Sequence, residues 1–80
     1  MTNQSPGNLK ATVATNIRSA RDAAGLRQRD LAERLDVDPM LVSKWERGIH
    51  TPGAKHFAAL ALALGEPIAW FYTDHQEAAA

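Results

Sequence analysis

Apolar side chains recur at helical spacing along most of the chain. Leu9, Val13 and Ile17 lie four residues apart, and small apolar residues continue this stripe up to Gly25. Residues four apart share one face of a helix, and glycine suits the left-handed backbone just beyond a helix end. The pattern therefore predicts a first helix from Leu9 to about Ala24, with a loose polar segment before it.

Four further short helices follow from the same reasoning. Asp38 followed by Pro39 predicts a helix start, because the carboxylate can accept from the first turn and proline has the backbone angle required there. Gly48 and Gly65 suit helix ends. No segment alternates with a period of two, so we expect an all-α fold. The predicted helices run from Gln28 to Leu35, from Pro39 to Gly48, from Ala54 to Leu64 and from Pro67 to Phe71.

The length of 80 residues leaves room for one domain. We expect a flexible N-terminal arm at residues 1–8, a compact domain at 9–73 and a tail or hinge at 74–80. The last segment holds little that could anchor it. It is either a true C-terminus or a hinge toward a further oligomerisation or ligand-binding domain, and the sequence leaves both open.

Charge is balanced in sum but not along the chain. Nine Lys and Arg residues offset nine Asp and Glu residues. Residues 10–56 hold all nine cations and six of the anions, a net charge of +3, and residues 57–80 hold the other three anions, a net charge of −3. This asymmetry indicates that the first two-thirds of the chain meets a polyanion. The alternative is an ordinary solvated charged surface.

Composition argues against several classes of protein. There is no cysteine, so neither a disulfide framework nor a thiolate metal site is available. The longest apolar run has eight residues, whereas a membrane span needs about 20, and the polar N-terminus is unlike a signal peptide. His50, His56 and His75 are too scattered for a metal site. We expect a cytoplasmic protein with no enzyme activity, metal, cofactor, small-molecule ligand or membrane partner.

The second and third predicted helices are separated only by a tight turn at Asp36 and Val37. Two short helices joined in this way form a candidate helix-turn-helix. In that unit the first helix lies across the DNA backbone and the second enters the major groove. On this geometry four cations point outward near a DNA backbone: Arg27, Arg29, Lys44 and Arg47.

Several short motifs accompany this helix pair. They are Asn16-Ile17-Arg18-x-x-Arg21, Gly25-Leu26-x-Gln28-x-x-Leu31-Ala32, Val37, Val42-Ser43-Lys44-Trp45-Glu46-Arg47-Gly48, Pro52 and Leu60-Ala61-Leu62-Ala63-Leu64-Gly65. Together they resemble the lambda-type phage repressor and Cro family of helix-turn-helix proteins, also called the XRE family, over about residues 13–72. The resemblance implies a five-helix lambda-repressor-like DNA-binding domain. It also implies a phage or bacterial repressor that binds a palindromic double-stranded DNA operator as a homodimer, next to the nucleoid of the bacterial or infected cell.

The resemblance assigns roles to individual positions of this chain. Arg21 and Glu46 match an arginine and a glutamate that form a buried structural ion pair. The positions that face base edges are Pro39, Met40, Ser43 and Lys44. Gln28 and Arg47 match positions that approach phosphates. The outward geometry of the helix pair adds Arg27 and Arg29, and His50 is a further candidate because it lies in the loop after the third helix.

The chain departs from the family pattern at the start of the third helix. Members often carry Gln, Ser, Thr or Arg there, whereas this chain has Pro39, Met40 and Leu41. Apolar side chains can contact the thymine methyl group but cannot donate to guanine, so we expect more reliance on methyl contacts and DNA shape. The alternative is that Met40 packs inside the protein. Ala20 replaces a leucine common in the family, which predicts a thinner core filled by Trp45.

The fourth predicted helix is apolar nearly all round, a pattern typical of burial on more than one side. Aromatic residues in the fifth helix add surface of the kind favoured at interfaces. We therefore expect a homodimer contact through Leu62, Trp70 and Tyr72. The alternative is that Trp70 and Phe71 complete a small core.

A protein-interaction module is the competing function. On that hypothesis the apolar surface from Pro39 to Leu41 binds protein, as in an antitoxin or an antirepressor target. The discriminating feature is the polar and basic cluster of Gln28, Arg29, Lys44 and Arg47. A DNA-binding protein needs this cluster on one face, whereas a protein-interaction module does not.

Overall fold

The computed structural model describes residues 6–75, with side chains from residue 9 onward. It confirms the all-α class, since no strand occurs within this range. The elements are α1 (Pro6–Ala23), α2 (Gln28–Leu35), α3 (Pro39–Glu46), α4 (Ala54–Leu64) and a 3-10 helix (Ile68–Tyr72). The predicted fifth helix is therefore one short 3-10 segment, and α3 ends two residues before Gly48.

Both predicted ends of the domain need correction. α1 begins at Pro6 and not at Leu9, so residues 6–8 of the expected arm are helical. A proline in a first turn loses no helical hydrogen bond, which makes the earlier start natural. At the other end His75 is anchored, because its Nε2 donates to the Trp70 carbonyl at 2.8 Å and its ring stacks on the indole. Residues 1–5 and 76–80 of the predicted arm and tail lie outside the described residues.

The turn between α2 and α3 takes three residues. Asp36 has a left-handed backbone with a φ of 58°, a conformation that aspartate adopts more readily than most residues. The next N–H group, that of Val37, donates to the Ala32 carbonyl at 3.0 Å. Asp38 then caps α3 by accepting from the Met40 N–H at 2.8 Å. These local bonds define the angle at which α3 leaves α2.

The core lies where all five elements meet. α1 packs against α3 and the 3-10 helix, and α2 packs against α3 and α4. Ala20 and Trp45 are buried in one cluster, so the large indole lies in the same core as the small Ala20 side chain. The buried core residues are Val13, Ile17, Ala20, Leu31, Ala32, Val42, Trp45, Phe57, Leu60 and Phe71.

One buried polar side chain joins the first and last elements. The Asn16 amide donates to the carbonyls of Trp70, Phe71 and Thr73, at 3.3, 2.9 and 2.8 Å. Phe71 and Thr73 lie at and just after the end of the 3-10 helix, where carbonyl groups lack helical partners, and the Trp70 carbonyl also accepts from the Thr73 N–H at 3.2 Å. Asn16 therefore holds the C-terminal segment on α1, a role that the motif containing it did not reveal.

Candidate nucleic-acid interface

α3 presents one face to the core and the other to solvent. Val42 and Trp45 point inward and are fully buried. With about 100° of rotation per residue, the opposite side of the helix carries Met40, Ser43, Lys44 and Arg47. Pro39 is exposed at the edge of this side. The predicted base-reading residues are thus brought onto one side of a short helix.

A polar network behind α3 ties it to α1 and α2. Arg21 in α1 donates to the Glu46 carboxylate in α3 through Nε, at 2.6 Å, and through Nη2, at 3.1 Å. Gln28 at the start of α2 donates to the same carboxylate at 3.0 Å. The Glu46 side chain is only 3% exposed. The residues that the resemblance paired do contact each other, and they form a bidentate pair of the strong kind.

Arg21 also reaches the loop between α1 and α2. Its Nη1 donates to the Leu26 carbonyl at 2.7 Å and lies 3.2 Å from a carboxylate oxygen of Asp22. The hydrogen bond to Glu46 is the largest cause that raises the pKa of Arg21, and an arginine guanidinium is in any case charged near neutral pH. One side chain therefore connects α1, the following loop and α3.

Gln28 has a different partner from the one expected at a phosphate. Its amide group donates inward to Glu46 and the side chain is half-buried. A glutamine amide has two N–H donors and one acceptor oxygen. The contact with Glu46 occupies one N–H, so the second N–H and the oxygen remain for other partners. The sequence could not reveal this contact, because the two residues are 18 positions apart.

Arg27 and Asp30 form a local pair at the start of α2. The Arg27 backbone N–H donates to the Asp30 carboxylate at 2.9 Å, and its Nε donates to the same carboxylate at 3.0 Å. The hydrogen bond from Arg27 lowers the pKa of Asp30 and raises the pKa of Arg27. Arg27 and Arg29 line a shallow pocket that extends to Pro39. The starts of α2 and α3 thus lie side by side.

The outward side chains of α3 differ in what they offer. Met40 is 56% exposed and lies outside the core, so the alternative that it packs inside is wrong. Arg47 donates from Nε to the Ser43 hydroxyl at 3.1 Å. Lys44 is half-buried, as expected for a long stem that packs while its ammonium group reaches solvent. His50 is exposed in the loop after α3.

The expected dimer residues differ in their exposure to solvent. Leu62 is 87% exposed. Tyr72 is 43% exposed, and the centroid of its ring lies 5.2 Å from that of Phe57. Helical rotation places Leu62 about 140° around α4 from Phe57. Trp70 is half-buried between Phe71 and His75, so much of its surface is used internally. Phe71 is fully buried, in agreement with the alternative that it completes the core.

The histidines are dispersed. Within residues 6–75 no three His, Asp or Glu side chains come together as a metal site. His56 instead packs against the buried Trp45, with ring centroids 5.2 Å apart. None of the helices in the described range is both long and apolar enough to cross a bilayer.

Two short helices are joined by a tight turn, and a polar network ties the second helix to α1 and α2 while its outer side is open to solvent. This arrangement defines a helix-turn-helix module. Residues 17–71 match the family described as Helix-turn-helix, and the chain belongs to this family, in its Cro/C1 (XRE) type. Members are transcription regulators and not enzymes.

Proteins similar to this chain agree with this family. A relative from Rhodospirillum rubrum, an uncharacterized transcriptional regulator in the ATPase CF(0) region, is 35% identical over 66 residues, which are 82% of this chain. The chain spans 61% of the length of that relative. The match therefore concerns a module that other proteins can carry within a longer chain.

Three solved structures resemble the chain at 27–30% identity. The hypothetical transcription factor NHTF from Neisseria gives a TM-score of 0.82, with 89% of this chain and 80% of that one covered. The clp gene regulator ClgR from Corynebacterium glutamicum gives 0.78, covering 88% and 74%. The restriction-modification controller protein C.AhdI from Aeromonas hydrophila gives 0.74, covering 79% and 96%.

Proposed function

We propose that this chain is a sequence-specific DNA-binding transcriptional repressor of phage or bacterial type. It acts in the cytoplasm as a homodimer on a palindromic operator. The observation that carries the proposal is the outward side of α3, where Met40, Ser43, Lys44 and Arg47 stand together. Behind them Glu46 is held by Arg21 and Gln28, so the helix enters a groove without first having to be ordered.

Each outward residue has a task that follows from its chemistry. Lys44 is the cation on α3 suited to the acceptors of guanine, and Met40 offers apolar surface to a methyl group. Ser43 and Pro39 lie beside them at the groove. Arg47 retains four guanidinium donors, because its bond to Ser43 takes one of five. Arg47 therefore serves as a phosphate clamp.

Phosphates on the flanking strand are contacted from the start of α2 and from the loop after α3. Arg27 and Arg29 are exposed there, and His50 is exposed on the other flank. Gln28 adds a contact with the amide donor that Glu46 leaves free. The net charge of +3 over residues 10–56 supports approach to a polyanion from this side.

The second copy binds through the surface of α4 and the 3-10 helix. Leu62 belongs to α4 and Tyr72 to the 3-10 helix, so contacts through each can be separated by mutation. Leu62→Glu should abolish a contact through the outer face of α4, and Tyr72→Ala should weaken one through the 3-10 helix, both measured by sedimentation with DNA. Monomers at micromolar concentration with and without operator would contradict the homodimer.

The decisive experiment is selection of bound sites from a random duplex pool at two salt concentrations. We expect an enriched palindrome whose half-sites lie about one helical turn apart, with affinity that falls steeply as salt rises. Salt-sensitive binding without enrichment would contradict sequence-specific recognition. Absence of binding at low salt would contradict DNA binding altogether and favour the protein-interaction module.

Two variants then separate the roles on α3. Arg47→Ala should weaken binding to all sequences alike and reduce the salt slope by about one, as loss of one phosphate contact does. Lys44→Ala should cost about 1–3 kcal/mol at one base pair and relax specificity there. Arg18→Ala, an exposed arginine on α1, removes the same charge away from α3 and serves as the control. Identical behaviour of the two α3 variants on every sequence would contradict the assignment.

A further inference from the structure

We infer that Met40 recognises the 5-methyl group of a pyrimidine in the major groove. Thymine and 5-methylcytosine are then bound more tightly at its position than uracil and cytosine. The inference rests on the proposed DNA binding and deepens it, because it names the chemical group that the first turn of α3 selects.

The first turn of α3 has no backbone donor to offer a base or a phosphate. Pro39 has no N–H group. The Met40 N–H donates to the Asp38 carboxylate at 2.8 Å, and the Leu41 N–H donates to the Asp38 carbonyl at 2.9 Å. The backbone N–H groups that a helix start usually leaves unpaired are therefore either absent here or already paired within the protein.

The side chains of this turn are equally poor in hydrogen bonds. Met40 is 56% exposed and carries a thioether, which is at most a weak acceptor. Pro39 is exposed and apolar, and Leu41 is partly buried against the core. Ser43, one turn further along, already accepts from Arg47. What Met40 can give to a base edge is van der Waals contact with an apolar group.

The major groove presents one apolar group of this kind on an ordinary base, the C5-methyl group of thymine. Methylation of cytosine at C5 places the same group at the same ring position. The unbranched methionine side chain adapts its shape to irregular surfaces, so it can cover this methyl group from an exposed position. Burial of one methyl-sized group corresponds to about fourfold in affinity per half-site, and to about 15-fold for a symmetric pair of half-sites.

The test uses the full chain and the operator obtained by selection. Each thymine of a half-site is replaced in turn by uracil, which removes the methyl group and keeps every hydrogen-bonding atom of the base edge. At one position uracil should lower the affinity of the wild type about fourfold per half-site. The same replacement should not change the affinity of Met40→Ala. If selection prefers cytosine at the position that Met40→Ala alters, 5-methylcytosine should raise wild-type affinity by a similar factor.

Two matched variants keep the test specific. Met40→Leu retains an apolar side chain and should retain sensitivity to the methyl group. Arg18→Ala changes an exposed residue of α1, away from α3, and should retain it as well. Thermal unfolding of each variant should match that of the wild type, because Met40 and Arg18 are exposed.

The outcomes distinguish this inference from the proposed function. Sequence-specific binding with no methyl effect at any position, or with an effect that persists in Met40→Ala, would overturn the role of Met40 and leave DNA binding intact. Failure of the wild type to bind or to select any sequence would overturn both. A methyl effect confined to thymine or to 5-methylcytosine would identify which base supplies the group.

Discussion

The two halves of the molecule differ in the proportion of polar and apolar interactions that hold their elements together. α2 and α3 are joined to it by a polar network in which Glu46 accepts from Arg21 and Gln28. α4 and the 3-10 helix are joined to the rest by apolar and aromatic packing, including Phe57 against Phe71. Hydrophobic burial is non-directional, whereas bidentate ion pairs have a defined geometry. The position of α3 is thus specified by an ion pair in addition to apolar packing, whereas the directional bonds of the other half are those from Asn16 to the end of the 3-10 helix.

The largest expected effect comes from breaking the polar network. Arg21→Met should lower the free energy of unfolding by about 3–5 kcal/mol, because it leaves the Glu46 charge buried without its partner. Urea denaturation measures this loss. The double variant Arg21→Met with Glu46→Leu should recover most of it, since an apolar pair can replace a buried ion pair. A double variant no more stable than Arg21→Met would contradict this account.

The apolar half can be probed by two leucines on one helix. Leu60 is fully buried and Leu62 is 87% exposed. Leu60→Ala should cost about 2–5 kcal/mol through lost burial and the cavity left behind. Leu62→Ala should stay within about 0.5 kcal/mol in dilute solution. Similar losses for both, measured by thermal unfolding, would show that Leu62 is buried in solution.

A smaller effect is expected at the polar contact inside the apolar half. Asn16→Ala removes a donor shared by three carbonyls at the end of the 3-10 helix and should cost about 1–3 kcal/mol. Asn16→Asp keeps the shape but places a carboxylate against those carbonyls, so it should be the more damaging change near neutral pH. Equal stability of the two variants in urea denaturation would argue against the donor role.

The smallest effect concerns the exposed pair at the start of α2. The pKa of Asp30 is lowered mainly by its hydrogen bond from Arg27. Its contribution to stability is therefore present above the ordinary aspartate pKa of about 3.9 and is lost as pH falls through the lowered value. Thermal unfolding of the wild type and of Asp30→Asn should differ slightly at pH 6 and converge near pH 2. A difference that grows at acid pH would have the wrong sign.

Local patterns in the sequence were sufficient for most of the helical architecture. The four-residue spacing of apolar positions identified α1, and Asp38 with Pro39 identified the start of α3, because caps and periodicity involve neighbouring residues. The same local reasoning missed the start of α1 at Pro6 and gave the last element as a short fifth helix, where the structure has a 3-10 helix. Boundaries depend on packing at the chain ends, which a periodic pattern does not describe.

The sequence by itself determined the helix-turn-helix, the family and the set of residues on the outer side of α3. The resemblance also paired Arg21 with Glu46, but only the tertiary structure decided the partners of the other buried polar groups. Gln28 donates to Glu46 across 18 positions, and Asn16 donates to carbonyls more than 50 positions away. It also showed that Met40 and Leu62 are exposed. The physical reason is that helical periodicity is a local property, whereas a hydrogen-bond partner is chosen by whichever element packs alongside.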